Sequence, residues 1–471
     1  MSNQRTERWQ QLLSPHRVGD KKDRPLPQDH RDERTAFDID YDRIVFSSAF
    51  RSLHDKTQVF PLSTSDYTRT RLTHSIEASS VGRSLGQLAG RSLKQRDVRV
   101  EPPHLGTIVA AACLAHDIGN PPFGHSGEAA IQHWVEKRFP PYAHERATGP
   151  NNPFATESEQ QDLVRFEGNA QGFRILTRLQ ARNRDGGLRY TVATVGAMSK
   201  YPRPSVLPGR RDKDKARISE KKFGFFQEDA QLAREVYRTL GLTEREPDVF
   251  SRHPLAFLVE AADDICYALI DLEDSAQLGL IPMEEACSLL ENVAALQPSF
   301  HPLKEKVDWE SRLGRARAGA IFALIQECVA AFEEHVEAME VGRFERPLVS
   351  ARPEVDKKLK AITEITRAKG YESERVLQIE AAGFKTLGGL LDMFAPAVLA
   401  DRPDREQKKL RQLLPLEVFQ RPGPYLENRD EAIERLTPYQ RLLCVTDYVS
   451  AMTDGFAVEL FQRLSGIKLP E

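Results

Sequence analysis

Adjacent His116 and Asp117 close an apolar helical stretch containing Ile108, Val109, Ala112 and Leu114, after which Gly119, Pro121 and Pro122 turn the chain back. A rigid element thus delivers two metal-binding groups side by side. A His-Asp pair is common at helix ends, and its company gives it chemical meaning. His74 stands 42 residues before His116 at a helix start, in TRTRLTHS, and Asp263 stands 146 residues after Asp117 in the apolar stretch EAADDICYALID. Two imidazoles and two carboxylates form a mixed nitrogen and oxygen donor set. Such a set suits Mn, Fe or Mg, with zinc less favoured, and leaves positions for water and a phosphate oxygen. His125 and Glu128, three apart at the start of the next helix, can point to one spot. A His hydrogen-bonded to a carboxylate keeps a raised pKa and can protonate a leaving oxygen, as phosphoester cleavage requires. Asp263, Tyr267 and Asp271 recur at i, i+4 and i+8, so one face of an apolar helix presents carboxylate, phenol and carboxylate. A water-exposed helix edge is the other explanation, because Glu260, Asp264 and Asp274 place charge nearby.

The elements that must hold these groups are helical. From Tyr41 onward the 3.6-residue period dominates: Ile76, Val81, Leu85 and Leu88 mark one stripe, Leu255 to Gly279 reads as one helix, and Leu442 to Leu464 as another with Gly455 as its weak point. Long alternating strand patterns are absent, and the expected fold class is all-α. Residues 1–35 are polar, charged and Pro-containing, and are expected to form an arm without a core. Residues 36–285 form the expected core unit carrying the candidate ligands, and 286–471 a helical C-terminal region. Within the core unit, Tyr201 to Gly224 breaks the periodicity with Pro202, Pro204, Pro208 and Gly209, and reads as a mobile surface loop. From Lys200 to Lys222 nine basic residues face three acidic ones, a local excess of +6. That charge fits either an anionic ligand or a solvated loop. Residues 401–412 mix both signs and read as a solvated face.

Composition narrows the class. With 471 residues, 66 Lys plus Arg against 69 Asp plus Glu, 29% charged and 40% hydrophobic residues, the chain has the balance of a folded protein and excludes wholesale disorder. The length fits two or three domains or one large helical body. A formal net charge of -3 and a pI near 6.5 argue against a basic nucleic-acid coat protein. The five cysteines at 113, 266, 287, 328 and 444 form no CxxC pair and are expected to be reduced and mostly buried. No apolar export segment opens the chain and no run of about 18 apolar residues occurs, so the cytoplasm is the expected compartment.

The words around these residues resemble those of the deoxyguanosine triphosphate triphosphohydrolase family, in the bacterial dGTPase-like branch of the HD phosphohydrolase superfamily. They are DRIVFSSAFRSLHDKTQVF at 42–60, RTRLTHSIEAS at 69–79, LAHDIGNPPFGHSGEAAI at 114–131, FEGNAQGFRIL at 166–176, EAADDICYALIDLEDS at 260–275 and DYVSAMTDGFAVELF at 447–461. The resemblance implies a helical HD fold and metal-dependent hydrolysis of a deoxynucleoside triphosphate to the deoxynucleoside and tripolyphosphate. It makes His74, His116, Asp117 and Asp263 the metal ligands, and His125 with Glu128 the catalytic pair. It places Tyr267 against the deoxyribose, Gln58 and Val59 on the 3'-hydroxyl side of the sugar, and Arg71, Asn120, Lys200, Tyr201 and Asp271 along the phosphate and sugar cleft. The C-terminal region would complete the cleft and supply contacts of a homo-oligomer, hexameric in the family, and some members respond to a nucleotide or single-stranded DNA effector. Two other readings fit the residues. Another HD-type nucleotidase or phosphodiesterase would share the metal ligands, and a nucleic-acid-binding regulator with a vestigial site would explain the +6 segment.

Overall fold

The computed structural model describes residues 2–20, 33–58, 69–140, 152–207, 217–303, 307–371 and 374–469. The architecture is all-α. Among the described residues there are 19 α-helices, and the only paired strands are the antiparallel pieces Glu244–Glu246 and Val249–Phe250. The apolar residues gather into two clusters. One runs from Trp9 to Ile362 and is built on the helices Arg71–Gln95, Pro102–Ala115, Pro254–Gln277 and Trp309–Glu340. The other joins Phe123 and the helix Gly124–Arg138 to Glu374–Leu399 and Pro438–Ala451.

The most extensively packed helix pair among the described residues is the one that brings His74 to His116. Gly82, Gly86 and Gly90 fall at four-residue intervals along Arg71–Gln95, so they form one row facing Pro102–Ala115. A Cβ on Gly86 would stand 2.6 Å from the Leu105 carbonyl oxygen, and one on Gly90 2.7 Å from the Pro102 Cα. A side chain at Gly86 or Gly90 would meet backbone of the facing helix and force the pair apart. The Arg71–Gln95 helix starts where the sequence allows it, with the Thr70 hydroxyl accepting from the Thr73 N–H and the Thr73 hydroxyl accepting from the Thr70 N–H. Of its expected stripe, Val81 and Leu85 are buried and Leu88 partly so, whereas Ile76 is half exposed.

A buried ion network links the two clusters. The Arg174 guanidinium, fully buried in the helix Gly168–Thr177, donates to both oxygens of Asp447 at 2.9 and 3.1 Å and to both oxygens of Asp229 at 3.1 Å, and it lies 3.0 Å from Glu228. A guanidinium can spread its donors over three carboxylates because its five N–H groups radiate in one plane.

Three expectations change in the structure. The N-terminal segment carries a core after all: Ser2–Leu12 is a helix, Trp9, Leu12 and Val18 are fully buried, and the Trp9 indole N–H donates to Glu340 at 2.7 Å. Most of the described flanks of the 200–224 segment are not solvated either, although Lys221 is exposed. Tyr201 to Ser205 and Phe223 to Phe226 are buried, the Arg203 guanidinium donates to the carbonyls of Pro204 and Glu220, and Arg217 pairs with Glu220 at 2.7 Å. Arg210, Arg211, Lys213 and Lys215 lie outside the described residues. Finally, the expected single helix Leu442–Leu464 is two helices, Pro438–Ala451 and Asp454–Leu464. The break comes at Met452, two residues before Asp454, and Thr453 caps the second helix. The five cysteines are buried free thiols, as expected.

Candidate active site

Three helices converge on one cluster. His74 lies in the first turn of Arg71–Gln95, His116 and Asp117 follow the last turn of Pro102–Ala115, and Asp263 projects from the middle of Pro254–Gln277. The ligand atoms of His74, His116 and Asp117 lie within 4.8 Å of one another. The Asp263 Oδ1 is 3.2 Å from His74 Nε2 and 3.5 Å from His116 Nε2. The His116 Nδ1 donates to the Cys113 carbonyl oxygen at 2.6 Å, which turns Nε2 toward the cluster. That Nε2 is buried and has no hydrogen-bond partner. Burial alone would lower the His116 pKa, but Asp117 and Asp263 raise it to about 9. For both carboxyls burial works upward and is outweighed by His116, so they stay well below the usual carboxylate range. Two ionised carboxylates and an orphaned imidazole nitrogen therefore favour a positive charge at one point. A divalent cation meets that demand, and the donor set fits one.

Outer contacts orient the ligands. Asp117 accepts from Arg71 Nη1 at 2.7 Å through Oδ2 and from Asn120 Nδ2 at 2.6 Å through Oδ1. Lys200 reaches Glu260 at 3.4 Å and Asp263 at 3.9 Å, and Arg252 completes this side by donating to Glu260 at 2.8 Å and to the Lys200 carbonyl at 2.7 Å.

The cluster opens on a cavity of about 620 Å3 lined from both apolar clusters, by Met198 and Val259 of one and Phe123 of the other. Gln58, Arg71, Asn120, His125, Lys200, Tyr201 and Tyr267 line it, as do His116, Asp117 and Asp263. His74 and Glu128 lie just behind the lining, both buried. The Gln58 Oε1 is buried without a partner, and Tyr267 is 37% exposed. Val59 lies outside the described residues. Asp271 is 2% exposed and is not part of the lining.

His125 and Glu128 depart from the expected pairing. Glu128 turns inward, where its Oε1 accepts the Gly168 N–H at 2.7 Å, and it forms no hydrogen bond with His125. His125 stands at the cavity wall, and burial, then Lys222 and Arg71, lower its pKa rather than raise it. Lys222 was visible in the sequence only as one charge in a basic segment. Here its Nζ lies 3.0 Å from Glu167 and 3.9 Å from Glu128, inside the cavity. Glu167 and Asn169 also line the cavity, and their signal was the motif FEGNAQGFRIL. Asp264, read as surface charge, is another lining residue; burial raises its carboxyl to about 7, with Glu260 and Asp263 opposing the pull of Lys200. Val376 and Glu380 enter the lining from the C-terminal region.

No protein-family model matches the chain. Curated relatives do. A deoxyguanosinetriphosphate triphosphohydrolase-like protein of Synechocystis is 43% identical over 466 residues, covering 98% of this chain and all of that one. A protein of the same description from Pseudomonas aeruginosa is 36% identical over 468 residues, covering 98% and 99%. A deoxyguanosinetriphosphate triphosphohydrolase of Serratia proteamaculans is 30% identical over 488 residues, covering 91% and 93%. With identity at this level along nearly the full length of both partners, the chain belongs to the deoxyguanosinetriphosphate triphosphohydrolase family.

Proposed function

We propose that the protein hydrolyses deoxynucleoside triphosphates to the deoxynucleoside and tripolyphosphate. The observation that carries this reading is the juxtaposition of an anionic His-Asp cluster, with the unpartnered His116 Nε2 at its centre, and the cations Arg71, Lys200, Lys221 and Lys222 around the same cavity. One part of the cavity demands a cation, and the rest receives a polyanion.

His74, His116, Asp117 and Asp263 would hold a divalent metal, Mg, Mn or Fe. When bound, it supplies Lewis acidity toward a phosphoryl oxygen. The chain's own residues do the remainder. Arg71 fixes Asp117 by a charge-assisted hydrogen bond and keeps four of its five N–H donors for other oxygens. Lys200 and Lys222, each already against carboxylates, hold their ammonium groups at the cavity where a triphosphate would lie. His125 is the proton donor to the departing 5' oxygen. Burial, and then Lys222 and Arg71, lower its proton affinity, and a bound triphosphate would offset the two cations. Glu128 acts by holding the Gly168 N–H and the Lys222 side beneath His125. Tyr267 packs against the deoxyribose, where a 2'-hydroxyl would clash, and Gln58 with Val59 reads the 3'-hydroxyl side. Asn120 and Tyr201 complete the cleft wall, and Asp271 acts from behind it.

Among the described residues no helix is long and apolar enough to cross a membrane. We place the protein in the cytoplasm as a homo-oligomer, hexameric by family resemblance, with a nucleotide or single-stranded DNA as candidate effector. The test is product analysis on each of the four deoxynucleoside triphosphates, alone and mixed, with Mn or Mg. Tripolyphosphate with free deoxynucleoside is expected. Orthophosphate or pyrophosphate would instead favour another nucleotidase of the superfamily.

A further inference from the structure

The motif DYVSAMTDGFAVELF contains two buried aspartates. Asp447 is accounted for by Arg174, whereas Asp454, 1% exposed and far from the metal cluster in sequence, has no part in the chemistry above. We infer that Asp454, with Lys56 beside it, is a positioning residue of the active site. It fixes the Gln58 segment and the start of the His125 helix in one register.

The contacts run to both sides of the cavity. Through Oδ2, Asp454 accepts from the Thr57 N–H at 3.0 Å and from the Thr57 hydroxyl at 2.5 Å, immediately before Gln58. Through Oδ1 it accepts from the Phe123 N–H at 2.9 Å, two residues before His125. Phe123 has φ +63°, a left-handed conformation that bulky residues seldom adopt without outside support. Both carboxylate oxygens are thus committed to backbone groups that precede a cavity-lining residue. Lys56, also 1% exposed, donates to the Asn120 carbonyl and to the Ser450 carbonyl, each at 2.7 Å. Its own carbonyl accepts from the Arg71 N–H at 3.0 Å, so the Gln58 segment is anchored to the start of the His74 helix as well.

A Cβ on Gly455 would stand 3.1 Å from an Asp55 oxygen, so the helix start at Asp454 can lie directly on the turn that leads to Lys56. The corner between Pro438–Ala451 and Asp454–Leu464 therefore acts as a bracket. It holds the segment before Gln58 and the start of the His125 helix on one carboxylate. A carboxylate is the suitable group because three converging donors need an acceptor that offers lone pairs on both oxygens.

The consequence is specific: loss of the bracket should alter sugar discrimination and turnover while leaving the metal cluster intact. This rests on the hydrolase reading proposed above. The full-length protein would be assayed with Mn on dGTP and on 2',3'-dideoxy-GTP, comparing wild type with D454A, T57V and the exposed control E459Q. For D454A the preference in kcat/KM for dGTP over the dideoxy compound should fall about tenfold or more, with kcat reduced by up to about 100-fold from misplacement of His125. T57V should move the preference in the same direction by a smaller factor, and E459Q should leave it unchanged. Equal losses on both substrates, or an unchanged preference in D454A and T57V, would overturn the inference. Hydrogen exchange keeps this separate from the functional reading. In D454A the amides of Thr57 and Phe123 should exchange at least about tenfold faster while Pro102–Ala115 stays protected, whether or not tripolyphosphate is made. Unchanged exchange at both amides would refute the bracket, and absence of tripolyphosphate from wild type would refute the hydrolase reading alone.

Discussion

Replacing His253 with Asn should remove a pH-dependent part of the protein's stability, and its size follows from the ring's contacts. His253 caps the helix that carries Asp263. Its Nδ1 accepts the Leu255 N–H at 3.1 Å, which makes Nε2 the protonated nitrogen, and Nε2 donates to the Leu12 carbonyl at 2.9 Å. The neutral ring thus ties the N-terminal helix to the site helix with both nitrogens used. Burial, outweighing the hydrogen bond to Leu12, lowers its pKa from 6.5 to about 4. The sign follows from linkage. Above pH 6.5 the ring is neutral in both the folded and the unfolded chain, and the stabilisation is complete. Between 6.5 and about 4 the unfolded chain binds a proton that the folded chain does not, so stability falls as pH falls. The full effect corresponds to roughly 3 kcal/mol. Asn keeps an oxygen able to cap Leu255 but cannot titrate or reach Leu12. At pH 7.5 the H253N variant should be less stable by about 1–2 kcal/mol, the cost of an unpaired buried carbonyl. On acidification to pH 4.5 this deficit should vanish or reverse, as wild type loses roughly 2–3 kcal/mol more than the variant. Urea unfolding followed by circular dichroism across this range measures the difference, and contributions from the other histidines cancel in it. Parallel stability curves for the two proteins would refute the reasoning.

Other substitutions probe the site and its frame. His116→Ala should abolish Mn binding and turnover, whereas His125→Ala should retain the metal and lose about 100-fold or more in kcat; metal analysis of both variants decides whether the roles are correctly divided. Tyr267→Ala should raise kcat/KM for ribonucleotides relative to deoxynucleotides with little change in thermal stability, because the ring is partly exposed; unchanged discrimination would remove Tyr267 from sugar selection. Arg174→Met should cost at least about 3–5 kcal/mol or prevent folding, since it strands Asp447, Asp229 and Glu228 in a buried setting; a variant with the wild-type urea midpoint would contradict the account of how the two apolar clusters are joined.

Residue types and spacing showed which groups belong together where the chemistry itself restricts the choice. His74, His116, Asp117 and Asp263 are a rare combination at helix ends and on an apolar helix, and they meet in the structure. What remained hidden depended on distant partners. The N-terminal segment has few apolar residues, and Trp9 is held by Glu340, 331 positions away, which no local period can register. The Pro-rich flank after Lys200 reads as solvated by composition, yet Phe223, Phe225 and Phe226 pack it into the core. His125 and Glu128 satisfy the spacing for a shared target, but the buried Gly168 N–H competes for the carboxylate and wins. Asp271 illustrates the limit of counting by fours: each step turns about 40° beyond a full circle, so by i+8 the residue has rotated about 80° and moved about 12 Å along the axis from Asp263. Its burial behind the cavity follows from that drift.

In the proposed reaction water attacks the α-phosphorus, the bond from phosphorus to the 5' oxygen breaks, and His125 donates a proton to the departing oxygen. Turnover of dGTP in 18O-labelled water tests it most directly. One labelled oxygen per molecule of tripolyphosphate is expected, and none in the 5'-hydroxyl of the released deoxyguanosine. Label in the deoxynucleoside, or orthophosphate or pyrophosphate in place of tripolyphosphate, would contradict it.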